Sequence, residues 1–432
     1  MKKALSLSLL IALSLSLFSA CATKPDILIN EEDSLDFAGG KVVIAISDCI
    51  HDFPPQKGGT ASEDRLLDRL AETEKKFNLE FDYMKNINPS TTFLSGAFSG
   101  GLQADLLYTC NKQLHDAYQI NTILPAENVI SDPESEKWAS PAIAAKGLYG
   151  GKIYGIFPNY WEFAPDILGL LNTDMDILSE YQIDDPHEII EAGEWNWNNF
   201  REFLRKTTFT DGERKYVGMD INKNGVASLF PFVLSNGGSF ITQSNGRTVL
   251  NINSPEAAEA YEFIAGLGAD GLIVETYDSS EVKTVTSSGG PQTSEEVNIA
   301  QFRFPYGPKG NKDTVSTLTT DIRLWAFPIF SVYTEEEIGE LAEFMFEPLS
   351  KSFPNGWKDT VNDNIFYYES EFEYYLKGVE QSEYIDMYIF IDSFTLYSKS
   401  ILEILRNDQS SVNAIDSIYE VINKDIDEHY NK

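Results

Sequence analysis

The sequence predicts an α/β protein of two lobes, each with a mainly parallel β-sheet flanked by helices. Its 432 residues exceed the usual length of a single domain. Between residues 41 and 108, apolar runs typical of buried strands alternate with amphipathic helical stretches, and this alternation favours a parallel sheet. A hydrophobic content of 42% is enough to fill two cores. These three observations determine the predicted fold class and the number of lobes.

Residues 1–21 have the composition of a targeting segment and are excluded from the fold. Lys2 and Lys3 precede an apolar stretch, Ala4 to Phe18, that is too short to span a bilayer. The final residues, LFSAC, resemble the cleavage box of bacterial lipoproteins, which implies a lipid on Cys21. An ordinary secretory peptide with a chance cysteine is the alternative. Both interpretations place the mature chain outside the cytoplasm, and lipidation predicts the extracellular face of the membrane.

The charge of the mature chain excludes some classes of ligand. Removal of the two leader lysines would leave 31 basic and 67 acidic side chains, a net charge of −36. Nucleic acid is not expected as a partner, because phosphate groups need clustered lysine and arginine. A strongly anionic ligand would need a local basic pocket. Residues 22–36 are short, polar and acidic, and they predict a tether between the lipid and the fold.

The first lobe is predicted to contain residues 37–150 and about 299–312. Lys41–Ile46 has the pattern of a buried parallel strand, a helix follows over roughly Ala61–Phe77, and Ala104–Tyr108 has the pattern of a further buried strand. Ligands bind beyond the carboxyl ends of such strands. Asp48, just after the first strand, is therefore a candidate ligand-binding residue.

Cys49 and Cys110 each follow one of these two strands. If the strands are neighbours, their separation of about 4.8 Å lies within the reach of a disulfide. Disulfides are permitted in an exported protein. Two buried free thiols are the alternative, because the sequence does not determine the direction of the side chains.

The second lobe is predicted to contain residues 151–298 and about 313–350, with the helices of 351–432 packing on the two lobes. Ile153–Pro158 has the pattern of a strand that ends at the proline, so the aromatic residues after it should lie in a loop. Ile299–Pro308 predicts a strand that returns to the first lobe, and Leu318–Ile329 predicts one that enters the second. The Ser-, Thr- and Gly-rich stretch Tyr277–Asn298 predicts a flexible surface segment.

The order of motifs in this part of the chain resembles the extracellular solute-binding proteins of carbohydrate ABC importers. The motifs are the strand that ends at Pro158, a strand that ends in Leu171-Asn172, the turn Asp184-Asp185-Pro186, and Trp195-Asn196-Trp197 before a helix. In that family the second motif is usually Tyr-Asn and the last is usually Trp-Thr-Trp. A helix and a Gly-Lys-Ala-Met-like strand that the family carries near residues 277–298 have no recognisable counterpart in this sequence.

The resemblance implies a maltose-binding-protein-like, type II periplasmic binding fold whose cleft between lobes closes over a carbohydrate by hinge motion. It also implies delivery of that ligand to a membrane permease. The candidates for hydrogen bonding to the sugar are Asp48, Asn159, Asp321 and Arg323, and the candidates for stacking are Tyr160, Trp161, Trp325 and Trp357. Core packing is the alternative for each aromatic residue, and also for Trp195 and Trp197. We expect a monomer.

The motifs of common enzyme classes are missing from the sequence. His187–Glu191 lacks the second histidine of a zinc-protease helix, and neither a G-x-S-x-G elbow nor a phosphate-binding glycine loop occurs. Asp220–Gly225 matches half of a calcium loop, but Pro231 replaces its final glutamate, so an Asx-rich turn is the preferred interpretation. We therefore expect a binding protein without a metal or cofactor. A binder of peptides or other small solutes, or a secreted carbohydrate-active enzyme with two convergent carboxylates, is the alternative.

Overall fold

The computed structural model describes residues 28–29, 35–138, 140–221, 229–275, 282–292, 298–319, 322–384 and 391–430. The predicted signal peptide, Cys21, most of the predicted tether and Asp321 lie outside these residues. Within the described part of the chain, every helix is too short or too polar to cross a membrane.

The elements are numbered in chain order. The strands are β1 Leu28–Ile29, β2 Leu35–Asp36, β3 Gly40–Ser47, β4 Leu79–Ile87, β5 Leu106–Cys110, β6 Ile123–Leu124, β7 Leu148–Tyr149, β8 Lys152–Ile153, β9 Leu170–Asp174, β10 Phe209–Asp211, β11 Arg214–Asp220, β12 Ile241–Ser244, β13 Arg247–Leu250, β14 Ile273–Val274, β15 Val282–Gly289, β16 Ile299–Arg303, β17 Leu318–Thr319, β18 Arg323–Pro328 and β19 Glu383–Tyr384. The α-helices are α1 Ala61–Phe77, α2 Pro89–Ser99, α3 Asn111–Gln119, α4 Pro141–Ala144, α5 Met175–Glu180, α6 His187–Glu191, α7 Trp197–Thr207, α8 Phe230–Ser235, α9 Pro255–Ala269, α10 Glu335–Met345, α11 Trp357–Asn364, α12 Glu369–Gln381, α13 Ile391–Leu405 and α14 Ser411–Tyr430.

The chain forms two compact units, which confirms the predicted class of two α/β lobes. Unit 1 is drawn from Met1–Ala164 and Ile322–Asp359, and unit 2 from Pro165–Asp321 and Thr360–Lys432. The polypeptide therefore passes between the units three times, after residues 164, 321 and 359.

Unit 1 contains a five-stranded sheet in the order β4-β3-β5-β18-β6. β3 is parallel to β4 and β5, whereas β18 is antiparallel to β5 and β6. α1 begins with a capping box between Thr60 and Glu63, and Asn78, the residue after its last turn, stops the helix with a left-handed φ of 49°. Its buried residues Leu66 and Leu70 pack into the core, because they are four residues apart and share one helix face.

Unit 2 contains a sheet in the order β10-β11-β15-β9-β16, with β14 also paired to β11. β11 and β15 are parallel, and β9 runs antiparallel to both of its neighbours. Asn196 caps α7 by accepting from two backbone N–H groups, and Ser254 caps α9. Trp195 and Trp197 lie in the core of this unit, where the Nε1 of Trp195 donates to the carbonyl of Arg303 at 2.9 Å. The structure therefore shows core packing for both tryptophans.

Two strands lie in the opposite unit from the one that the sequence predicts. β16 was expected in the first lobe but pairs with β9 in unit 2, and β18 was expected in the second lobe but pairs with β5 in unit 1. Helix α10, which follows β18, packs against α1 in unit 1. The apolar pattern of a buried strand indicates that the strand is buried, but it does not identify the strand with which it pairs. For this reason the sequence assigned β16 and β18 to the wrong units. Both sheets are consequently mixed and not mainly parallel.

Two other boundaries also differ from the prediction. Residues 151–164 stay in unit 1, because β7 pairs with β8 and Ile156 forms a bridge with Trp325. The helices after residue 360 belong to unit 2 alone. Within the stretch predicted as a flexible segment, Val282–Gly289 forms the central strand β15, which pairs with β11 and β9. The Ser, Thr and Gly content suggested a loop, but the β-branched Val and Thr residues at 282 and 284–286 favour a strand.

Candidate functional site

The carboxyl end of β3 and the carboxyl end of β5 lie side by side in unit 1 and are joined by a disulfide. Cys49 and Cys110 form this bond, with their Cα atoms 6.4 Å apart. The backbone N–H of Cys110 also donates to the Sγ of Cys49 at 3.3 Å. Of the two alternatives that the sequence left open, the structure shows the disulfide and not the free thiols. The bond fixes the loop that begins at Asp48 to the start of α3.

Polar and charged side chains gather at this edge of the unit 1 sheet. Asp48 is exposed and accepts from the Nε2 of Gln113, a residue of α3. Arg323, the first residue of β18, lies opposite Cys110 and forms an ion pair with Asp52. The structure thus brings the predicted residues Asp48 and Arg323 to one edge, together with two polar neighbours that the sequence analysis did not select.

Trp325 lies in the core of unit 1 and not on a surface. Its side chain is 0% exposed, and its ring stacks on Tyr108 at 4.6 Å between centroids. Phe53, Trp161 and Phe346 contact the ring edge-on at 5.2–5.7 Å. In this conformation no ring face of Trp325 is open to a ligand, which is the core-packing alternative stated above.

Asn159, Trp161 and Trp357 are also buried in unit 1. The Nε1 of Trp357 donates to the Oδ1 of Asn159 at 2.7 Å, and the Nδ2 of Asn159 donates to the carbonyl of Glu136 at 2.9 Å. The Nε1 of Trp161 donates to the carbonyl of Met345 at 3.2 Å. These polar groups hold the chain before the first crossing in place. The proline at 158 was expected to expose this loop, but the N–H of Trp161 returns to the carbonyl of Pro158 and turns the indole inward.

Tyr160 is half-buried, so part of its side chain is accessible. The stacking role predicted for it stays a prediction. Glu162, two residues further on, has a fully buried side chain that accepts from Ser62 and Arg65. The hydrogen bonding of the Arg65 guanidinium to this carboxylate raises the pKa of Arg65 above its usual value. The pair anchors the loop and is structural.

A second polar edge lies in unit 2. Ser287 of β15, Asn172 of β9 and Gln301 of β16 are opposite one another in register, so their side chains share one face of the sheet. Asp220, the last residue of β11, is the register partner of Ser287. Asp220 and Ser287 are half-buried, whereas Asn172 and Gln301 are 4% and 1% exposed.

The buried side-chain amides of Asn172 and Gln301 bind the backbone of residues 290–292, directly after β15. The Nδ2 of Asn172 donates to the carbonyl of Gly290 at 3.1 Å, and the Nε2 of Gln301 donates to the carbonyl of Gln292 at 2.7 Å. Gln301 also donates to the Oδ1 of Asn172 at 3.3 Å. The Oε1 of Gln301 has no hydrogen-bond partner among the described residues.

The arrangement suits recognition of a neutral polar ligand. Carboxylates, an arginine, amides and hydroxyls are the groups that bind sugar hydroxyls. In the described part of the chain, histidine, cysteine and acidic side chains form no cluster able to hold a metal ion. The buried ion pair of Arg303 and Glu371 is separate from these groups: burial raises the pKa of the Glu371 carboxyl, and Arg303 offsets part of that effect.

Sequence reasoning missed the residues of the unit 2 edge, because β15 was interpreted as a loop. One signal was present, since the alternation of Val and Thr in VKTVT is typical of a strand. The sequence places Asp220 only at the start of an Asx-rich turn, Asp220–Gly225, and residues 222–225 of that turn lie outside the described residues.

Comparison with known proteins identifies the fold. No family model matches the sequence, and no curated protein is significantly similar to it. Among solved structures, a cyclic α-maltosyl-1,6-maltose binding protein from Arthrobacter globiformis aligns with a TM-score of 0.63 at 14% identity, over 90% of this chain and 99% of that one. The GacH receptor of Streptomyces glaucescens, solved unliganded and with acarbose, gives 0.61 at 14% identity over 90% and 99%.

An ABC substrate-binding protein from Listeria monocytogenes, solved in complex with cycloalternan, gives a TM-score of 0.58 at 12% identity, over 89% of this chain and 98% of that one. All three comparisons cover nearly the whole of both chains. The resemblance noted in the sequence is thereby confirmed at the level of structure, and this chain has the two-unit α/β fold of carbohydrate-binding proteins of the maltose-binding type.

Proposed function

We propose that this protein is the substrate-binding lipoprotein of an ABC importer and that it captures an extracellular carbohydrate, an oligosaccharide in our interpretation. Closure of the two units over the sugar by hinge motion and its delivery to a membrane permease belong to the same proposal. Ligand-driven closure requires contacts that form only in the closed state. The three chain crossings are compatible with such a hinge.

One observation carries the proposal: both sheets end in groups that bind sugar hydroxyls, on a fold shared with proteins that bind acarbose, cycloalternan and cyclic maltosyl-maltose. Asp48 and Arg323 supply such groups in unit 1, and Asp220 and Ser287 supply them in unit 2. This likeness supports the choice of ligand class.

An enzymatic role is less well supported by the same groups. Glycoside hydrolysis needs one carboxyl that carries a proton for the leaving group and one that is ionised. Asp48 and Asp52 both accept from protein donors, Gln113 and Arg323. The solved structures that share the fold are sugar-binding proteins, and we therefore propose a protein that leaves its ligand chemically intact.

The proposed location follows from the leader. Lipidation of Cys21 would hold the protein on the extracellular face of the membrane, and a diacyl anchor is needed for stable attachment. The acidic residues 22–36 would separate the folded units from the lipid. Metabolic labelling with a radioactive fatty acid, compared with a Cys21→Ala variant, tests this part: label that persists in the variant would contradict it.

Thermal unfolding of the chain from residue 22 onward tests the ligand class. The protein is heated alone and with maltotetraose, acarbose, cycloalternan, a set of other oligosaccharides, short peptides and polyols. A ligand at 100 times its dissociation constant stabilises the folded state by about 2.7 kcal/mol, which shifts the unfolding temperature visibly. A shift with a sugar that is recovered intact supports the proposal. A shift with peptides alone, or consumption of the sugar, overturns it.

A further inference from the structure

The segment Gly289–Gln292 begins at the last residue of β15, the central strand of the unit 2 sheet. It therefore lies at the carboxyl end of that strand. One side of the segment is fixed by backbone, because the N–H of Gly169 donates to the carbonyl of Gly289 at 3.1 Å. Gly290 approaches the chain so closely that a Cβ there would lie 2.6 Å from the carbonyl oxygen of Ile167. The glycine is therefore required by the close contact.

The other side of the segment is fixed by side chains. Asn172 holds the carbonyl of Gly290 and Gln301 holds the carbonyl of Gln292, and the two amides are themselves joined at 3.3 Å. Both carbonyls follow the end of β15, where no strand among the described residues supplies a backbone donor. The two amides thus replace the missing ladder hydrogen bonds and extend the ordered backbone beyond the sheet.

We propose that Asn172 and Gln301 are positioning residues of the ligand site: they hold Gly289–Gln292 in the conformation that meets the ligand beside Asp220 and Ser287. This inference rests on the proposed function. Its physical basis is pre-organisation, since a segment that is ordered before binding does not have to be ordered by the ligand.

Gln301 is a polar side chain at a buried position, and its contribution there lies in its hydrogen bonds. The side chain is 1% exposed, and a buried amide is costly unless it is hydrogen-bonded. Its Nε2 makes two hydrogen bonds, one to the Oδ1 of Asn172 and one to the carbonyl of Gln292. The buried amide therefore acts on the segment directly and through Asn172.

The same strands offer a matched control. Thr173 and Thr286 lie one residue from Asn172 and Ser287, on the opposite face of β9 and β15, and are buried. Their hydroxyls bond to each other at 3.2 Å and do not contact the segment. The double substitution Thr173→Val and Thr286→Val removes buried hydrogen bonding from β9 and β15 without touching Gly289–Gln292.

The test compares Gln301→Met, Asn172→Leu and the double threonine variant with the wild type. Amide hydrogen exchange of a peptide covering Gly289–Gln292 is measured by mass spectrometry without ligand, and the dissociation constant for maltotetraose, or for the panel sugar that binds best, is measured by calorimetry. We expect at least tenfold faster exchange and at least tenfold weaker binding in Gln301→Met and Asn172→Leu. The threonine control should stay within about twofold of wild type in both readouts. Two independent variants keep the test decisive if one of them does not fold.

Unchanged exchange in both amide variants overturns the inference, because the segment would then be held by other groups. Faster exchange with unchanged affinity also overturns it, since the segment would be anchored but would not serve the ligand. A wild-type protein that binds none of the sugars refutes the proposed function instead, and the exchange rates alone then decide whether the amides anchor the segment.

Discussion

Replacement of Trp325 by alanine should destabilise unit 1 strongly, because the structure places this residue at the centre of an aromatic core. A buried tryptophan removes roughly 150–250 Å² of surface from water. At about 25 cal/mol per Å², this burial contributes at most about 4–6 kcal/mol. Truncation of large aromatic side chains in cores costs about 3–5 kcal/mol. The ring contacts of Trp325 with Tyr108, Phe53 and Trp161 are the packing that this truncation removes.

Equilibrium urea unfolding followed by far-UV circular dichroism measures this loss, with as many transitions fitted as the curve shows. We expect Trp325→Ala to lose about 3–5 kcal/mol, and Trp325→Phe to lose less because an aromatic ring remains. Tyr160→Ala is the contrasting variant: its side chain is only half-buried, so it should lose little stability and should weaken sugar binding if it stacks on the ligand. A Trp325→Ala protein that keeps its stability but binds the sugar at least tenfold more weakly would refute the core assignment.

Three further predictions concern stability. Cys49→Ser with Cys110→Ser should destabilise the protein by about 4 kcal/mol, because the disulfide closes a loop of 61 residues; an unchanged urea midpoint would contradict this. Glu162→Ala should cost about 3 kcal/mol, since it leaves Ser62 and the guanidinium of Arg65 without their acceptor, whereas Glu162→Gln keeps part of the hydrogen bonding and should cost less in the same assay. Burial raises the pKa of Glu371 above the unfolded value of about 4.3, so its stabilisation is complete below that pH and is lost as pH rises through the folded value. The stability of wild type relative to Glu371→Gln should therefore fall as pH rises above about 4.3, and a relative stability that increases with pH would refute the burial argument.

Local elements of the fold were predictable from the sequence because their causes are local. The helix expected over Ala61–Phe77 has these bounds in the structure, since its capping box and its apolar stripe are both encoded within a few residues. The strand expected at Lys41–Ile46 forms the core of β3 for the same reason. The class of two α/β lobes followed from such elements and is confirmed.

Partner choice was not predictable, because it depends on residues far away in the chain. β16 and β18 have similar buried patterns, and only pairing with β9 or β5 decides which unit each one joins. The same limit applies to the candidate site. A proline stop predicted an exposed Trp161, but the carbonyl of Met345, 184 residues later, receives its indole N–H. Asp48 was predictable as an edge residue because the end of its strand can be located in the sequence. Arg323 was expected inside the strand Leu318–Ile329 of the second lobe, and its position at the start of β18 in unit 1 follows only from the pairing with β5.

The most direct test of the account is a calorimetric titration of the chain from residue 22 onward with the panel sugar that stabilises it most, repeated with Asp48→Asn and with Asp220→Asn. The account predicts saturable binding of one sugar per chain, recovery of the sugar unchanged, and affinity at least tenfold weaker in each variant, because one edge residue is altered in each unit. Hydrolysis of the sugar, or affinities that do not change in either variant, would contradict the claim that the two polar edges bind a carbohydrate.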